Sequence, residues 1–268
     1  MDVTLIWIAA GLAVAMAGAW IVQRITGNSG WVDTIWSFAT GAGGVVAALV
    51  PAHGAFEWRQ VVVAGLIGLW SGRLGLHIAQ RAKRGEDDPR YAAMAQQWGK
   101  AWPLYLFVFL EIQAAASVVL VLAIRLAASN PAPFPATTDI AGIVLLIIAV
   151  IGETVADGQL RRFAHAHKGA VCDVGLWKYS RHPNYFFEWL GWCAWTVIAF
   201  DPGQPTSFLA VGAPILMYVL LVHVSGIPPL EAHMLKTRGE RFLAYQARTS
   251  AFFPAPRRAP SLHQGKSS

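Results

Sequence analysis

Long apolar runs separated by short polar stretches organise the chain. Seven runs stand out, over residues 3–22, 31–50, 61–78, 103–124, 140–155, 184–200 and 208–224. A helix needs about 20 apolar residues to cross a bilayer, so each run predicts a membrane-spanning helix. The fifth and sixth are the shortest and carry acids. Asp2 is the only charged side chain ahead of the first run, which therefore lacks the positive start of a cleaved signal peptide. No inverted repeat relates one half of the chain to the other.

The polar positions orient the runs. Arg24 lies between runs one and two; Arg81, Lys83, Arg84, Arg90 and Lys100 lie between three and four; Arg161, Arg162, Lys168, Lys178 and Arg181 lie between five and six. Seven more follow run seven, so 18 of the 21 lysines and arginines fall in alternate connections. The positive-inside rule then places the N-terminus outside and the C-terminus in the cytoplasm. The expected fold is all-α, a polytopic membrane protein with seven transmembrane helices in one domain over 1–254. Residues 255–268, rich in Pro, Arg, Ser and Lys, predict a disordered cytoplasmic tail. Two of the basic connections, 79–102 and 159–183, are longer than a turn requires, which is usual for functional loops.

Composition agrees. Of 268 residues, 55% are hydrophobic and 13% charged, against about a quarter charged in a soluble domain. That excludes a pair of soluble domains and, for most of the chain, disorder. The net charge of +6 is accounted for by the cytoplasmic basic face, so nucleic-acid binding is not expected. Cys172 and Cys193 are too few for a disulfide scaffold and lack zinc-ligand spacing. His165 and His167 point to different helix faces with no third ligand at helical spacing, so no metal is expected either.

The acids carry the sharpest signal. Asp33 opens run two, Glu111 lies in run four, Glu153 and Asp157 close run five, and Glu188 is one turn into run six. A carboxylate within a span is costly unless paired or wetted, and defaults to a functional reading. The topology puts all five, with Arg73, in the cytoplasmic half. Glu153, Asp157 and Arg161 share a helix face by their spacing of four, as do Asn184 and Glu188. Structural readings stand beside this one: Asp157 and Arg161 as a simple ion pair, and Asn184 as a helix cap. In Arg181-His182-Pro183-Asn184-Tyr185 the proline turns the preceding residue away from helical geometry. Asn184 is then expected to cap the helix, whose N-terminus with Arg181 and His182 suits an anion. Tyr179 and Tyr185 add stacking surfaces, which together fit a phosphate-bearing, nucleotide-like cofactor. No Gly-x-Gly-x-x-Gly fingerprint or Walker sequence is present.

Gly175-Leu176-Trp177, Tyr179 to Tyr185 and Glu188 resemble the C-terminal signature of the steroid 5-alpha-reductase-like membrane enzymes. A looser form is shared by sterol reductases and isoprenylcysteine carboxyl methyltransferases. Asp33 and Trp36, Arg81, Glu86-Asp87, Arg90-Tyr91, Asp157-Gly158-Gln159, Phe163, Glu231, Tyr245 and Phe253-Pro254 extend the likeness over roughly residues 30 to 254. The resemblance implies a bacterial inner-membrane reductase with its active site facing the cytoplasm and NADPH as cofactor. Asp157, Arg161, Tyr179, Arg181, His182, Asn184, Tyr185, Glu188 and Tyr245 would line the cofactor. Arg81, Asp87, Arg90 and Tyr91 would close over it, with Arg73 nearby. The implied substrate is a 3-oxo-Δ4-steroid or similar enone lipid arriving from the bilayer, amid membrane lipids. Hydride would pass to the β-carbon and a proton to its neighbour.

The sequence departs from the family at three places. Phe187 stands where relatives usually carry glycine. Val32-Asp33 stands where the animal steroid enzymes have Gln-Glu. Run three offers Trp70 near Arg73 but no tyrosine. Enone reduction builds negative charge on the carbonyl oxygen, which needs a donor; a neutral Asp33 or Glu111 is the candidate, with Trp36 as a wall of the catalytic pocket. Two other classes fit less of the pattern: an S-adenosylmethionine-dependent methyltransferase, whose cofactor has no phosphate to neutralise, and a proton-coupled transporter or lipid-binding protein.

Overall fold

The computed structural model describes residues 3–51, 57–85 and 88–257. Among these the chain is helical, apart from one isolated bridge between Ser180 and Ser250. Ten helices follow in order: α1 (Val3–Thr26), α2 (Gly30–Leu49), α3 (Trp58–Lys83), α4 (Pro89–Trp98), α5 (Trp102–Ala128), α6 (Thr137–Ala166), α7 (Pro183–Ala199), α8 (Gly212–Val219), α9 (Ile227–Arg238) and α10 (Glu240–Arg248). Six helical stretches are long and apolar enough to cross a membrane: Val3–Thr26, Gly30–Leu49, Trp58–Lys83, Arg90–Ala128, Thr137–Ala166 and Pro205–Arg238. The chain is thus a multi-pass membrane protein. The sixth apolar run became α7, whose 17 residues extend about 26 Å against a hydrocarbon core of about 30 Å.

The helices do not stop where the apolar runs stop. α3 continues through Gln80, Arg81 and Lys83, and α6 through Gln159, Arg161 and Arg162, because these long straight side chains favour helix once it has started. α3 gives way at Gly85 and α6 at Gly169, both at positive φ. Much of the two long connections is therefore helix. α4 forms inside the first, with Asp88 as N-cap accepting from the Arg90 N–H at 2.9 Å and a proline in the first turn. The seventh run is broken into a 3₁₀ stretch (Pro205–Val211), α8 and a π-helical turn (Leu220–Val224). Asn184 is not the cap that the sequence suggested. α7 begins at Pro183, the position proline prefers, and the Asn184 amide donates to Asp157 Oδ1 at 3.2 Å instead.

The described residues form two compact units, Met1–Ile147 with Gly191–Tyr218, and Ile148–Leu190 with Val219–Ser268. In the first, α2 packs on α1, α3 and α5, and α1 also on α5. Ile8, Leu12, Met16 and Ala19 form the buried stripe of α1 and meet Leu106, Leu110, Ala114 and Val121 of α5. Side chains such as Trp7, Val14 and Ile25 are exposed, as expected where the solvent is lipid. Helix approach relies on small residues: a Cβ at Gly41 would lie 2.1 Å from the Ser71 hydroxyl oxygen, and Ser71 donates to the Ser37 carbonyl at 2.9 Å. α3 starts on a reciprocal cap. The Glu57 N–H donates to Gln60 Oε1 at 2.9 Å, and the Gln60 amide reaches back to the Ala48 and Val50 carbonyls at 3.0 Å each.

In the second unit, the Trp177 indole donates to the Ala156 carbonyl at 3.0 Å and Gln159 Oε1 accepts from the Leu176 N–H at 2.8 Å. These bonds fix the turn Gly175–Lys178 against α6. The C-terminal segment lies along residues 178–182: Arg181 N–H donates to Ser250 O at 2.8 Å, the Ser180 hydroxyl to Phe252 O at 2.8 Å, and Ala255 N–H to Tyr179 O at 3.0 Å.

Candidate functional site

Two clusters hold most of the residues singled out by sequence. The first is in the first unit, around Asp33 in the first turn of α2. Its Oδ1 accepts from the Tyr91 hydroxyl at 2.7 Å and its Oδ2 from Arg90 at 2.5 Å. Arg90 also grips Asp88 with two bonds of 2.9 Å, and its guanidinium lies 5.8 Å from the Tyr91 ring centre. Burial works to raise Asp88, but Arg90 outweighs it and, with Arg81, holds the carboxyl below its ordinary range. Tyr91 is 2% exposed and packs edge-on against Phe109. Asp33, Arg90 and Tyr91 thus meet, and both Asp33 oxygens act as acceptors. Trp36, one turn on, donates its indole N–H to Ser117 at 2.8 Å and leads an edge-to-face series through Trp70 to Trp192. Arg73 and Arg81 lie on α3. Glu111 lies on α5 in a groove against α1. Asp87 lies outside the described residues.

The second cluster lies where α6 and the start of α7 run antiparallel. Gly152 is opposite Phe187, and Asp157 is bonded to Asn184. This register sets Glu153 and Glu188, both buried, at the same level. A Cβ at Gly152 would stand 2.4 Å from the Phe187 ring. The missing side chain at Gly152 is thus what makes room for the Phe187 ring across the helix interface. Gly152→Val is expected to cost about 1–3 kcal/mol by overpacking. Adding Phe187→Ala is expected to recover most of it, as read from thermal unfolding of the detergent-solubilised protein.

Asn184 Oδ1 is buried with no hydrogen-bond partner, whereas buried polar atoms are normally paired. Arg161 and Arg162 are exposed on the last turns of α6, and Tyr179 is exposed ahead of α7. An unmet acceptor beside a carboxylate, with open guanidiniums on the same helix, fits a cofactor that carries both an amide and phosphates.

Arg181 and His182, expected beside an anion, both bond to Glu231. Arg181 forms a two-point pair with Glu231 at 2.7 and 3.1 Å and donates to the Thr249 carbonyl at 2.5 Å. His182 Nε2 lies 3.0 Å from Glu231 Oε1, and Gln246 completes the carboxylate at 2.6 Å. Burial pushes His182 down, so its ring is neutral near pH 7, which makes Nε2–H the donor to Glu231. The ring stacks on Tyr185 at 5.6 Å. Burial pushes the Tyr245 phenol up; it remains a donor, to the Trp177 carbonyl at 2.5 Å and the Ser180 carbonyl at 3.3 Å. These residues hold the 177–182 segment in place. Glu231 matched the resemblance but was not picked as a site residue, because nothing in spacing links it to Arg181 fifty positions earlier. Gln246 escaped for the same reason, and Asp88 because nothing in the acidic loop before Arg90 sets it apart from Glu86 and Asp87.

The chain belongs to the DUF1295 family. That family is described as a protein of unknown function, and its pattern covers residues 19–249 of this chain. A relative in Schizosaccharomyces pombe, described as uncharacterized protein C594.04c, is 24% identical over 263 residues, covering 88% of this chain and 75% of that one. No solved structure matches the chain. The DUF1295 match takes in both clusters, from Asp33 to Tyr245.

Proposed function

We propose that this DUF1295 protein is an NADPH-dependent membrane oxidoreductase that reduces the carbon–carbon double bond of a 3-oxo-Δ4-steroid or similar enone lipid. On this proposal residues 1–254 are one catalytic domain with seven spans, α7 being the sixth in chain order and the addition to the six long ones. The chain then has the N-terminus outside, a cytoplasmic tail over 255–268, and the active site facing the cytoplasm of a bacterial inner membrane. The observation that carries it is the buried, unpartnered Oδ1 of Asn184 beside Asp157. It is an acceptor suited to the carboxamide N–H of a nicotinamide, with Arg161 and Arg162 on α6, the helix of Asp157, for phosphates.

When bound, the cofactor supplies the hydride. The chain's own residues do the rest. Glu231 fixes Arg181 and His182, and so the start of α7, leaving Asn184 and Tyr185 as the cofactor's contacts. Within the first unit, the Tyr91 hydroxyl, whose hydrogen goes to Asp33, is a donor able to turn to a ketone oxygen as negative charge develops there. Asp33 remains neutralised by Arg90 throughout. Trp36, fixed by Ser117, walls the substrate.

Purified protein is expected to be stabilised thermally by NADPH and not by S-adenosylmethionine, and to oxidise NADPH when a 3-oxo-Δ4-steroid is added. Asn184→Ala is expected to weaken NADPH binding about tenfold or more, the loss of one buried hydrogen bond. Stabilisation by S-adenosylmethionine alone would move the chain to the methyltransferase class. Proton-coupled uptake without NADPH oxidation would move it to the transporters.

A further inference from the structure

Of the five intramembrane carboxylates that the sequence singles out, Glu111 belongs to neither the Asp33 cluster nor the α6–α7 cluster. Glu111 lies nine residues into α5, about 13 Å along the helix from Trp102, which is hydrocarbon depth for a spanning helix. It lines a groove of about 440 Å³ between α1 and α5, whose remaining walls are Ala9, Ala13, Ala114, Ala115 and Val118. The volume is that of a small-ligand site. Val108 and Ile112 flank Glu111 on the exposed side of α5 and Ile6 lies one turn before Ala9 on α1, all exposed, so the groove opens toward lipid. Inside it, Glu111 Oε1 is shielded from solvent and has no hydrogen-bond partner.

These observations restrict the occupant. A polar oxygen at hydrocarbon depth has no water to satisfy it, and leaving it unmet is costly. The other five walls supply no side-chain polar group, so a full charge on the ligand would lack solvation beyond one carboxyl. The matching molecule is neutral, reaches the groove from the bilayer, fills alanine-lined space with an apolar body and presents one hydrogen-bond donor. We propose that the α1–α5 groove is a binding site for a lipid alcohol whose hydroxyl donates to Glu111. This site needs neither NADPH nor the Asp33 cluster, and it stands whether or not the reductase reading does.

The test uses full-length protein in nanodiscs, with a long-chain fatty alcohol carrying a mid-chain diazirine and, in parallel, its methyl ether, which has no donor. After photolysis, labelled peptides are identified by mass spectrometry. The alcohol is expected to label α1 and α5 peptides about tenfold more than the ether, the size of one buried hydrogen bond. Glu111→Leu is expected to abolish that preference while leaving weak labelling by both probes. Ala13→Leu, which fills the groove and keeps the carboxyl, is expected to lower labelling by both. Equal labelling by alcohol and ether in the unaltered protein, a preference that survives Glu111→Leu, or labelling confined to other helices would each overturn the assignment.

Discussion

Replacing Asp139 with alanine is expected to destabilise the protein by about 3–5 kcal/mol, the range for removing one partner of a buried ion pair. Arg59 is wholly buried and Asp139 is 1% exposed. The guanidinium donates to both carboxylate oxygens at 2.9 and 2.7 Å, to the Ala132 carbonyl at 2.8 Å and to the Asn130 carbonyl, with the Phe134 ring centre 5.6 Å away. Asn130 in turn donates to the Ile198 carbonyl at 2.7 Å. One cation therefore ties the start of α3 to the segment before α6 and to the end of α7. Without Asp139 that buried cation keeps only the half-exposed Glu57 carboxylate, 3.9 Å away, as a countercharge. The unfolding midpoint in detergent should fall by roughly 6–20 °C, at about 2–4 °C per kcal/mol for a chain of this size. The double variant Arg59→Met with Asp139→Leu should lose less than the single one, because the desolvation of two charges disappears with them. Equal losses would assign the effect to the carbonyl bonds rather than to the stranded charge.

Arg59 also shows where sequence reading runs out. As one of three basic residues outside the cytoplasmic connections, it reads as a loop cation, and no local pattern singles out Asp139. Their pairing spans 80 positions and obeys no helical period, so only the folded chain reveals it. The stripe Ile8, Leu12, Met16 that α1 buries was not legible, because the lipid-facing Trp7 and Val14 are as apolar, but α1 as a whole was, by its apolar length. So was the α6 face carrying Glu153 and Asp157. The partner of that face was not: Asn184 looked like a cap, since Asn before an apolar run usually is, and Pro183 took the first helical position instead. Arg90 and Tyr91 stood out as residues from a loop that would close over a cofactor. Their bonds to Asp33 depend on how α4 meets α2, which no spacing within either segment encodes. Phe187 could be seen to depart from the family pattern, but not that Gly152 makes room for it.

Tyr91→Phe is expected to lower kcat for enone reduction by about 10²–10³-fold, the usual loss when one donor to a developing oxyanion is removed. The ring is 2% exposed and sits in the α1–α5 core beside Phe109, so phenylalanine keeps the packing and forfeits only the hydroxyl. The stability cost is then about 0.5–1.5 kcal/mol for the bond to Asp33. NADPH affinity should be unchanged, because on the proposed reading the cofactor is held by the α6–α7 cluster. Asp33→Asn separates the donor from its support. It retains an acceptor for one of the two donors but removes the charge that Arg90 neutralises, so Arg90 is left with Asp88 alone. If Tyr91 is the group that meets the oxyanion and Asp33 only positions it, Asp33→Asn should slow turnover less than Tyr91→Phe, and the double variant should be no slower than Tyr91→Phe alone, since residues acting as a unit do not lose rate additively. Steady-state rates of the two single variants and the double, with NADPH saturating, decide it. A Tyr91→Phe enzyme with full kcat would remove Tyr91 from the chemistry.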